Sequence, residues 1–137
     1  MRKFFVLIAG ITVITVSCKK KACPKPEVWG VGTWKLTEFY DNGVLQDPSD
    51  PSIACLLTET IRFNNNTKGT WTLPHYNNNN CTQNNYQILA WTENTKKKKL
   101  MLAVLFSGIE YGLEFIYNEK NEMYRTGNNK KYIYTKQ

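Results

Sequence analysis

The sequence predicts an all-β domain, an eight-stranded antiparallel up-and-down barrel. Three observations carry that expectation. Apolar and polar residues alternate with period two in eight segments, and no segment sustains a helical period. Most of these segments are joined by two to five residues, which makes neighbours in sequence antiparallel partners. A meander of eight strands also leaves two unpaired edges, and closure into a barrel is the simplest way to remove them.

The strands follow in order. Residues 33–40 alternate Trp34 and Leu36 against Thr33, Lys35 and Thr37, and stop at Asp41-Asn42-Gly43, a strong turn signal. A loop rich in proline and aspartate, residues 47–51, leads to Cys55. Residues 57–63 place Leu57, Glu59, Ile61 and Phe63 on one face. After a turn at 64–68, residues 69–73 return with Trp71 and Leu73 together. An asparagine-rich loop surrounds Cys81, because asparagine tolerates left-handed backbone and bonds to its own main chain. Residues 86–92 and 99–106 form the next pair, the second carrying Leu102 and Val104. In residues 111–118, Tyr111, Leu113, Phe115 and Tyr117 share a face. Residues 122–126 and 130–136 complete the eight.

The chain divides into residues 1–17, 18–27 and 28–137. Met1-Arg2-Lys3 precedes 13 uncharged residues, too few to span a bilayer, which takes about 20. A basic start and a short apolar core describe a secretory signal peptide, here residues 1–17. Thr15-Val16-Ser17-Cys18 resembles the lipobox of bacterial lipoproteins. That resemblance implies cleavage before Cys18, a diacylglycerol on its thiol and an acylated amine. Two or more acyl chains anchor a protein stably. The expected location is therefore the bacterial cell envelope, lipid-anchored at the outer membrane, with its side left open. Residues 18–27 are the tether, and Cys23 reads as a spare thiol in it. The nearest later approach to a spanning segment is the apolar run 100–109, at ten residues.

The formal charge of +7 is concentrated outside the fold. Signal and tether hold most of it, and the barrel keeps +2, with residues 96–99 as a lysine cluster in one turn. A nucleic-acid surface needs basic residues along a face, interleaved with exposed aromatics. That pattern is missing, and no nucleic-acid partner is expected. Export permits a disulfide between Cys55 and Cys81, which would close a loop of 27 residues. Two separate buried thiols are the alternative. With His75 as the only histidine, no metal site is expected.

Gly32-Thr33-Trp34, on the first strand after a short tether, resembles the Gly-x-Trp signature of lipocalins. The wider layout is similar to the short lipocalin-like domains of bacterial lipoproteins. It has a cysteine before LTETIRFNNNTKGTW, a second cysteine after that hairpin, and ILAWTENTKKKKLML. The resemblance implies that Trp34 closes the barrel floor and packs against a basic residue near the last strand. Arg125 and Lys131 are the two candidates. The loop motifs and C-terminal helix of larger lipocalins are absent, so no particular ligand transfers.

No nucleophile motif, metalloprotease motif or phosphate loop is present, and no enzyme is expected. His75, after Pro74, reads as a solvated surface residue. Glu59 on an apolar face is costly unless paired. It pairs with an inward basic residue, marks a polar spot in the lumen, or sits at the barrel mouth.

The leading functional expectation is a membrane-anchored barrel that binds a small, largely apolar ligand, without cofactor. The expected lumen wall is Trp34, Leu36, Ile61, Phe63, Trp71, Leu102, Val104, Leu113 and Phe115. The alternative is a solid barrel that serves as an envelope interaction or accessory protein, since 16 aromatic residues remain after processing. Its protein partner is not legible.

Overall fold

A computed structural model describes residues 28–118 and 120–137. The signal segment, Cys18 and the tether lie outside the described residues. The fold is a closed, eight-stranded antiparallel barrel. Its strands are β1 (Gly32–Asp41), β3 (Thr60–Phe63), β4 (Gly69–Asn77), β5 (Asn80–Asn94), β6 (Lys99–Phe106), β7 (Ile109–Tyr117), β8 (Glu122–Gly127) and β9 (Lys130–Lys136). A two-residue arm, β2 (Val44–Leu45), adds to the end of β1. Each strand pairs with its neighbour in sequence, and β1 closes on β9 from Trp34↔Lys136 to Asp41↔Lys130.

Two irregularities set which residues face inward. Between Leu36 and Glu38 the β1–β9 register shifts, so the buried series runs Trp34, Leu36, Phe39. The extra residue of a bulge turns the later side chains over. A second shift between Ile88 and Ala90 moves the buried series of β5 from Ile88 to Trp91. Gly69 begins β4 because β3 crosses it closely: a Cβ there would run into the Arg62 carbonyl.

Two stretches depart from the sequence expectation. Residues 51–56, expected as loop, form the helix α1 (Pro51–Leu56). Asp50 caps it, its carboxylate accepting from the Ser52 amide at 2.8 Å, and Pro51 takes the first turn where a missing N–H costs nothing. Six residues are too few to show a helical period. The strand expected from Leu57 begins only at Thr60, since Leu57 ends the helix. The broad asparagine loop is also absent. β4 and β5 run on to Asn77 and from Asn80, and only Asn78 and Asn79 turn, at φ 48° and 62°. Two left-handed residues make a tight hairpin that matches the strand twist.

The Cys55–Cys81 disulfide is present, with Cα atoms 5.6 Å apart. It fastens α1 to β5 just after the hairpin tip. One seam of the barrel is thin. β6 and β7 pair over their whole length, whereas β7 and β8 pair only at Ile116↔Tyr124 and Tyr117↔Met123.

Candidate ligand site in the open half of the barrel

The barrel has two unlike ends. At one end lie the turns 64–68, 95–98 and 118–121, with Val28 entering beside the C-terminal strand. This end is plugged. The Trp34 indole is fully buried and donates to the Gly30 carbonyl at 2.9 Å. Trp29 covers it, with ring centroids 4.4 Å apart, and stacks on Tyr117 at 4.0 Å. Burial pushes the Tyr117 hydroxyl up to about 12, helped by its hydrogen bond to Glu93. Above this floor Leu36, Ile61, Phe63, Ile88, Leu100, Phe115 and Met123 are all essentially inaccessible. The closed half is a packed core.

Midway along the barrel sits a polar cluster. Glu59, 1% exposed, directs Oε1 to three partners. Trp71 Nε1 donates to it at 2.8 Å, Tyr134 Oη donates at 2.5 Å, and Arg125 Nη2 lies 3.8 Å away. Arg125 Nε donates to Tyr134 Oη at 3.1 Å, and its guanidinium stacks 3.7 Å above the Tyr132 ring. Burial raises the Glu59 carboxyl above its ordinary value, while Arg125, Tyr134 and Trp71 pull the other way. Burial and then the charge of Glu59 drive the Tyr134 hydroxyl well above its own. Among the described residues, no buried side-chain polar atom is left unpaired.

Beyond the cluster the interior loosens. Tyr86, Phe106, Leu113 and Tyr132 are only partly buried, and Tyr111 is 47% exposed. Their rings form a run: Phe106 lies 4.4 Å from Tyr86, 5.6 Å from Tyr111 and 5.8 Å from Trp71. A cleft of about 330 Å³ runs through the thin β7–β8 seam, walled by Leu113 and Arg125 on the inside and by Glu114, Tyr124 and Thr126 on the outside. Another of about 310 Å³ lies under α1, bounded by Phe39, Ile53, Leu56, Pro74 and Tyr132. An open groove of about 650 Å³ lies on the outside near Tyr40 and Lys131, and a mostly apolar one of about 460 Å³ lies outside the floor between Val28, Trp29, Val31 and Trp91.

A family model described as a lipocalin-like domain matches residues 31–110. The chain belongs to the lipocalin-like domain family. It is similar to the crystal structure of a lipocalin-like protein from Bacteroides uniformis, at a TM-score of 0.51 and 8% identity, covering 80% of this chain and 100% of that one. An uncharacterized protein from Bacteroides eggerthii follows at a TM-score of 0.49 and 12% identity, covering 79% of this chain and 99% of the other. No curated protein matches.

Within this lipocalin-like barrel the nine wall candidates all face inward, but at different depths. Trp34, Leu36, Ile61, Phe63, Trp71, Leu102, Val104 and Phe115 belong to the buried cluster. Leu113 alone of the nine borders either interior hollow. The basic residue over the signature tryptophan is neither Arg125 nor Lys131. Lys136 Nζ lies 5.7 Å from the Trp34 ring and donates to the Trp29 carbonyl at 3.0 Å. Cross-strand pairing of Trp34 with Lys136 puts both on one face, and that register depends on how the barrel closes. Lys131 is on the outside, over Tyr124 and Tyr40. Of the three settings open to Glu59, the structure takes the pairing with an inward arginine, inside the barrel rather than at its mouth. Arg125, Tyr132, Tyr86 and Phe106 were missing from the expected wall. Period two in β8 and β9 carries the signal for the first two, since Arg125 follows Met123 and Tyr132 precedes Tyr134 by two.

Proposed function

We propose that this chain is a lipid-anchored binding protein whose open half takes a small, largely apolar molecule with one oxygen-bearing polar end. Arg125 carries the reading. Its guanidinium is held flat on Tyr132, its Nε is used by Tyr134, and among the described residues its Nη2 pairs with Glu59 at 3.8 Å. That distance is too long for a hydrogen bond. Glu59 itself is satisfied by Trp71 and Tyr134. The Nη donors therefore remain for a ligand oxygen entering the hollow beside Leu113. Such hollows, near the lower end of the 300–1,000 Å³ usual for ligand pockets, fit a small molecule and not a long one. Partly exposed rings supply the apolar contact, at about 25 cal/mol per Å² buried. Cys18 supplies the anchor.

The experiment is a titration of fluorescent short-chain carboxylic acids and their methyl esters against wild type, Leu113→Trp and Arg125→Met. Saturable binding that Leu113→Trp abolishes, and that Arg125→Met weakens about tenfold for the acid, supports the site. The packed closed half favours one second reading, a solid barrel acting through its outer surface. Absence of binding to every probe would establish that reading instead. For the anchor, Cys18→Ala should release the protein from the membrane, and mass spectrometry of the native protein should find acyl chains on residue 18.

A further inference from the structure

The two ends of the barrel differ in charge as well as in packing. Lys68, Lys96, Lys97, Lys98 and Lys120 are all exposed, and all belong to the three turns of the closed end. Two acids beside them are occupied. Tyr117 donates to Glu93, and the Asn118 amide donates to Glu122. At the open end the balance reverses, with Asp41, Asp47, Asp50 and Glu110 against Lys130 and Lys131. Lys130 and Lys131 lie over aromatic rings there. A strand of nine residues is about 30 Å long, and its tilt in a closed barrel leaves the ends about 23 Å apart. That is about two Debye lengths at 0.1 M salt, so a surface touching one end feels the other only weakly.

The chain enters the fold at the lysine-bearing end. Val28 and Trp29 lie against its floor, and the ten residues before Val28 include Lys19, Lys20, Lys21 and Lys25 against Glu27. Ten residues reach at most about 35 Å. We propose that the closed end is a docking face for an anionic lipid surface, and that the barrel stands on it with the open end turned away. Juxtamembrane lysines contribute additively near such a surface, and their attraction falls off within a Debye length. The tether lysines precede that end in sequence, and contact through the closed end leaves the hollow beside Leu113 uncovered. The ligand reading plays no part in this proposal, and the charge is testable without the acyl chains.

The test uses the chain from residue 18 onward carrying Cys18→Ala, sedimented with vesicles of neutral phosphatidylcholine or with 30% anionic phosphatidylglycerol. At about 0.1 M salt the anionic vesicles should bind it at least tenfold more tightly, and 0.5 M salt should remove the difference. Combining Lys96→Gln, Lys97→Gln and Lys98→Gln should lower that affinity at least fivefold. Lys68→Gln with Lys120→Gln, in a different pair of turns, should lower it as well. Asp47→Asn with Glu110→Gln, at the far end, should leave it unchanged. Equal binding to neutral vesicles, or full affinity in both lysine variants, would overturn the proposal, the second result assigning the attraction to the tether alone. Tighter binding to duplex DNA than to the anionic vesicles at the same salt would overturn it in favour of a nucleic-acid surface.

Discussion

The closed and open halves of this barrel are built from the same strands with the same alternation, yet one is solid and the other is not. Below the Glu59 cluster the inward positions hold Trp34, Leu36, Phe63, Leu100 and Met123, all within 1% of complete burial. Above it they hold Phe106, Tyr111, Leu113 and Tyr132, which stay partly open, and the β7–β8 seam parts. Alternation decides which face a side chain takes. How far the two walls approach decides whether that face is core or cavity, and here the closed end is drawn together by Trp29 and Lys136.

That contrast can be broken from the closed side first. Trp34→Ala should destabilise the protein by about 3–5 kcal/mol in urea unfolding, the range for removing a large buried aromatic. Cutting the tie over the open half should come next. Cys55→Ser with Cys81→Ser should lower stability by about 3–4 kcal/mol in the chain-entropy account of a loop this long. Far-UV circular dichroism should retain the sheet signal, because the barrel closes through β1 and β9 and not through α1. At the boundary, Glu59→Leu should cost about 3 kcal/mol, because Arg125 loses its counter-charge and two buried donors lose their acceptor.

Glu59 also gives a pH signature. Its folded-state carboxyl titrates above the ordinary 4.5, chiefly through burial. Over the window above 4.5 the folded protein keeps a proton that the unfolded chain has lost. Stability from this group is therefore full below 4.5 and falls as the pH rises through the folded value. The urea midpoint of wild type should decline across that window relative to Glu59→Gln, which has nothing to titrate. The smallest effect belongs to the open half. Tyr111→Ala, at a half-exposed position, should change stability by less than about 1 kcal/mol.

The strand order, the barrel and the Cys55–Cys81 pair were legible because each rests on a local pattern or a short list of partners. The helix α1 was hidden by its length, although Asp50-Pro51 is a cap followed by a helix-starting proline. The asparagine run misled in the other direction. Asn77 to Asn80 looks like a wide loop, but two left-handed residues suffice to turn it. Alternation reports which face a side chain takes and not how deep it lies. Nothing in the alternation of residues 33–40 reports that a bulge brings Phe39 inward, or that the Trp34 position meets Lys136. The sequence signals no role for Arg125 beyond the floor, because its partners, Glu59 and Tyr134, lie 66 and nine residues away and meet only when the barrel closes.

The central claim is that ligand binding belongs to the open half alone. Methyl NMR of the leucines during titration with a short-chain carboxylic acid tests it most directly. The methyls of Leu113 should shift saturably, while those of Leu36 and Leu100 in the closed half stay in place. Saturable shifts of equal size at Leu36 or Leu100, or a Leu113 signal unmoved at saturating probe, would contradict it.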